Sequence, residues 1–61
     1  MWKVVFIART KSMAEKLQEQ LQNEGLLVML RPLGGGELNS QYEILVPESE
    51  VDEAQEVLTS V

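Results

Sequence analysis

Apolar and polar positions change their period along this chain, and each change marks an element. Residues 2–9 read Trp, Lys, Val, Val, Phe, Ile, Ala, Arg, a short run dense in β-branched and aromatic side chains that predicts a strand. From Met13 the period lengthens. Met13, Ala14, Leu17 and Leu21 recur at helical spacing, with Glu15, Lys16, Gln18, Glu19 and Gln22 on the polar side. Thr10 or Ser12 offers the N-cap, Ser12 with Glu15 fits a capping box, and Gly25 supplies the left-handed residue that ends a helix. Leu26 to Arg31 predicts a second strand, stopped by Pro32. Residues 33–40, with three consecutive glycines and Asn39, predict a flexible connection. Gln41 to Val46 predicts a third strand with Tyr42, Ile44 and Val46 on one side, ended by Pro47. Ser49 and Asp52 form a second capping pair before a helix whose apolar stripe is Val51, Ala54, Val57 and Leu58. Glu50, Asp52 and Glu53 fall in its first turn, where the helix dipole favours negative charge.

The order is strand, helix, strand, strand, helix. The first helix is long enough to carry the chain between parallel strands, and the second and third strands form an antiparallel hairpin. The expected fold class is α+β, a ferredoxin-like two-layer sandwich lacking the last strand (βαββα). Residues 1–61 form a single domain, with a three-stranded sheet and both helices on one face.

That arrangement conflicts with the strand sequences in one respect. A sheet covered on one side only should be polar on the other. Here Trp2, Val4, Phe6 and Ala8 alternate with Val5 and Ile7, and Leu26, Val28 and Leu30 alternate with Leu27 and Met29. In the third strand Leu45 shares the second face with Glu43. Several large apolar side chains are therefore expected on the helix-free face, and on soluble proteins such a patch marks an interaction site. Either that face or the open edge of the first strand, where a fourth strand would pair, is expected to serve self-association or a protein partner. The alternative is that residues 32–40 fold back over the face.

Composition narrows the function. A domain of this length buries only about 60% of its unfolded surface, so an additional source of stability is expected. With no cysteine and no histidine, disulfides, thiolate metal sites and an imidazole base are all excluded, and oligomerisation remains. The net charge is −5, from ten acidic and five basic residues, with no basic cluster for phosphate; nucleic acid and anionic membranes are not expected partners. No apolar run approaches a membrane span, and the stretch from Val4 to Ala8 is too short for a secretory signal, so a cytoplasmic location is expected. No nucleophile–base pair, metal set or cofactor motif is present, and no enzyme activity, cofactor or metal is expected.

Two segments are candidate binding sites. Arg9, Thr10, Lys11 and Ser12 combine two cations, two hydroxyls and free helix amides, a chemistry suited to a phosphate or carboxylate. Leu33, Gly34, Gly35, Gly36, Glu37 and Leu38 form a candidate interaction loop; no lysine follows in the phosphate-loop position, and the run joins two strands rather than a strand and a helix. The carboxylates Glu48, Glu50, Asp52, Glu53 and Glu56 read as a solvated helix face.

Thr10, the Ala14-Glu15 pair, Leu17, Leu21, the Glu24-Gly25-Leu26 helix exit and Ile44-x-Val46-Pro47, followed by Ala54 and Leu58, together resemble a family of small prokaryotic signal-transducing domains. The resemblance covers nearly the whole chain. That family is likened in fold to PII-type nitrogen regulators, whose long loop between the second and third strands carries partner recognition. The resemblance implies the same place for residues 33–40 and a non-enzymatic regulatory module. The alternative is a sensor of a small anionic metabolite held near Arg9 to Ser12 or between subunits.

Overall fold

The computed structural model describes residues 1–34 and 41–60. Strand β1 (Trp2–Ala8) is followed by helix α1 (Lys11–Asn23), strands β2 (Met29–Pro32) and β3 (Tyr42–Pro47), a 3₁₀ turn (Glu48–Glu50) and helix α2 (Val51–Ser60). The fold is α+β, as expected.

Helix α1 is set by its two ends. Thr10 has extended backbone, and its Oγ1 accepts from the Met13 N–H at 3.1 Å. Of the two possible caps it is therefore Thr10 that acts. Ser12 lies inside the helix, so the box with Glu15 does not form. At the other end Gly25 sits at φ +85°, the Leu26 N–H donates to the Leu21 carbonyl at 3.2 Å and the Gly25 N–H to the Gln22 carbonyl at 2.9 Å. This is the Schellman closure, and it returns the chain with Leu21 and Leu26 both buried.

The second strand is shorter and later than expected, because residues 26–28 carry the chain away from the helix cap before pairing begins at Met29. Pro32 ends the strand inside the sheet, opposite Tyr42; β2 is an edge strand, where proline's missing donor is tolerated. Strand β3 likewise extends to Pro47, opposite Trp2. Ser49 does not cap the final helix as expected. The chain turns at Pro47 into the 3₁₀ turn with no side-chain cap. Glu50 reaches across instead, its Oε1 accepting from the Leu27 N–H at 2.9 Å, and so ties the start of α2 to the approach to β2.

The sheet order is β1-β3-β2, with β3 antiparallel to both neighbours. Both helices pack on one face. The core there joins Ala8, Ile44 and Val46 of the sheet to Ala14, Leu17 and Leu21 of α1, to Leu26 beyond its end, and to Ala54 of α2. Ala8, Ala14 and Ala54 are fully buried, so the helices and sheet approach closely at those points. No helix among the described residues is long and apolar enough to cross a membrane.

Strand β1 departs from simple alternation. Its pairing with β3 shifts register between Val4 and Phe6, a bulge at Val5. Val5 and Ala8 consequently face the helices, while Trp2, Val4 and Ile7 share the opposite face with their β3 partners. The expected Trp2-Val4-Phe6-Ala8 face therefore does not exist as a unit. Phe6 stands opposite Ile44 at the bulge and remains partly exposed.

A methyl group placed on Gly25 would meet no other atom within 4 Å, so the need for glycine there is conformational alone. Gly25→Ala is expected to cost about 1 kcal/mol, a fall of roughly 4–8 °C in melting temperature for a domain of this size. Thermal unfolding followed by circular dichroism measures it.

Candidate functional site

The helix-free face of the sheet is built in three cross-strand rows. Trp2 stands opposite Pro47; Val4 and Met29 flank Leu45; Ile7 and Arg31 flank Glu43. Residues paired in this way project from the same face within about 5 Å of each other. The bulge shapes the first column. Without it Val4 and Ile7, three residues apart, would project to opposite sides of the sheet.

Leu45 is the centre. It lies outside the cluster on which the helices pack, yet only 2% of its surface is exposed. Around it Trp2, Val4, Ile7, Leu27 and Met29 keep between 36% and 62% of their surfaces in solvent. Leu27, which precedes β2, shares Met29's parity, and its backbone is held by Glu50. The result is a contiguous apolar surface on one side of a chain whose other side already carries both helices.

One charged pair interrupts it. The Arg31 Nε donates to Glu43 Oε1 at 2.6 Å, the guanidinium NH2 group lies against the same oxygen, and the carboxylate side chain is only 14% exposed against 58% for arginine. The pair adds no net charge to the face. The chain's net charge of −5 is therefore carried elsewhere on its surface.

The four candidate anion-binding residues lie at the β1–α1 junction, and Arg9, Thr10, Lys11 and Ser12 are all exposed. Thr10 Oγ1 is occupied by the cap to Met13, and that is the one side-chain hydrogen bond made there among the described residues. Of the candidate loop, Leu33 and Gly34 are described. The Leu33 N–H donates to the Gln41 carbonyl at 2.8 Å, and the Leu33 side chain is exposed. Gly35, Gly36, Glu37 and Leu38 lie outside the described residues, as does any fold-back of that segment over the sheet. An open groove of about 580 Å³ runs between α1 and α2, lined by Gln20, Asn23, Leu26 and the carboxylates Glu24, Glu53 and Glu56. Its sign is the opposite of what an anionic metabolite needs. Among the described residues, no three acidic side chains gather as a metal site.

The apolar face is legible in the residues, whereas the bulge and the Arg31–Glu43 pair are not. The bulge depends on the register of β1 against β3 and the ion pair on that of β2 against β3, and alternation alone specifies neither. The available signal is two opposite charges, Arg31 and Glu43, flanking the β2–β3 connection at the ends of adjacent strands.

No protein-family model, curated protein or solved structure matches this chain.

The unequal exposure of the ion pair makes its two halves unequal in energy. Arg31→Met strands a nearly covered carboxylate among apolar side chains and is expected to cost about 1–3 kcal/mol. Glu43→Met leaves an arginine that reaches water, and its cost is expected to be smaller. Urea unfolding of the two variants measures the difference.

Proposed function

We propose that this chain is a non-enzymatic, regulatory interaction module of the cytoplasm that self-associates through the helix-free face of its sheet. The observation that carries the reading is the exposed apolar ring of Trp2, Val4, Ile7, Leu27 and Met29 around the buried Leu45. Contiguous apolar patches on soluble proteins, when rimmed by polar residues, often serve association. The resemblance to small signal-transducing domains gives the regulatory part of the reading. An interaction role for residues 33–40 belongs to the same proposal.

The size of the face sets the expected strength. Three strands spaced ~4.8 Å apart and about six residues long at ~3.3 Å each cover on the order of 300 Å² in projection. Standard interfaces bury roughly 800 Å² per partner, so this contact belongs to the weak, reversible class. Weak contact suits a module that exchanges between a self-paired state and another partner.

Light scattering across a wide concentration range is expected to show a mass that rises from one chain to two. Val4→Lys places a charge beside Leu45 at a position already partly exposed. It is expected to hold the protein monomeric at every concentration while preserving its circular dichroism. A wild-type chain that stays monomeric throughout would refute self-association.

A further inference from the structure

We draw no further inference here: the strongest candidate, the open groove between α1 and α2, gathers the exposed carboxylates Glu24, Glu53 and Glu56 beside Gln20, whose Oε1 has no hydrogen-bond partner among the described residues, but Gln20 is only partly buried and nothing else in the structure points to a ligand there.

Discussion

Strand β3 is buried on both faces in a sheet that, among the described residues, has helices on only one. Ile44 and Val46 belong to the core beneath the helices, and Leu45 between them is nearly as inaccessible on the other side. Everything else is organised around that strand. It pairs with β1 on one side and β2 on the other, and its Pro47 end leads through the 3₁₀ turn into α2. An antiparallel strand with one solvated face commonly alternates apolar and polar residues, and three successive buried residues depart from that pattern. The described residues supply helices for one face. The second surface is left to side chains that are themselves half in solvent, and it is there that the proposed association finds its contact.

The devices that hold this small fold act at its junctions. The Schellman turn at Gly25, the Thr10 cap and the Glu50 carboxylate on the Leu27 N–H each fix a point where one element gives way to another. The alanines at the helix–sheet contacts allow close packing but bury little area each. A core of this kind has modest reserves, in keeping with the limited burial available to about sixty residues. Burying the second face would add apolar area to the one part of the sheet that now lacks it.

Much of the architecture is readable from the residues, because periodicity and end signals depend on local chemistry. The helical spacing of Ala14, Leu17 and Leu21 and the glycine at position 25 locate α1 well, and the side of β3 that carries Tyr42, Ile44 and Val46 follows from alternation. The apolar second face can be foreseen for the same reason. What escapes is set by pairing. The bulge at Val5 turns Ile7 to the open face and Ala8 into the core, a change that alternation cannot express. Ser12 and Ser49 have the right chemistry for caps, but Thr10 begins α1 earlier, and the 3₁₀ turn carries the chain past Ser49. The anion-binding reading of Arg9 to Ser12 rests on residue types alone, and the fold leaves those four residues exposed at a strand–helix junction.

The central claim is that the face around Leu45 is covered in the working state of the protein. Emission from Trp2, followed while the protein is diluted from high to low concentration, tests it directly. The account predicts a blue-shifted maximum in concentrated solution that moves to the red as pairs separate and the indole enters water. A maximum that is red-shifted and unchanged at every concentration would contradict it, because the indole would then face solvent whether or not a second chain is near.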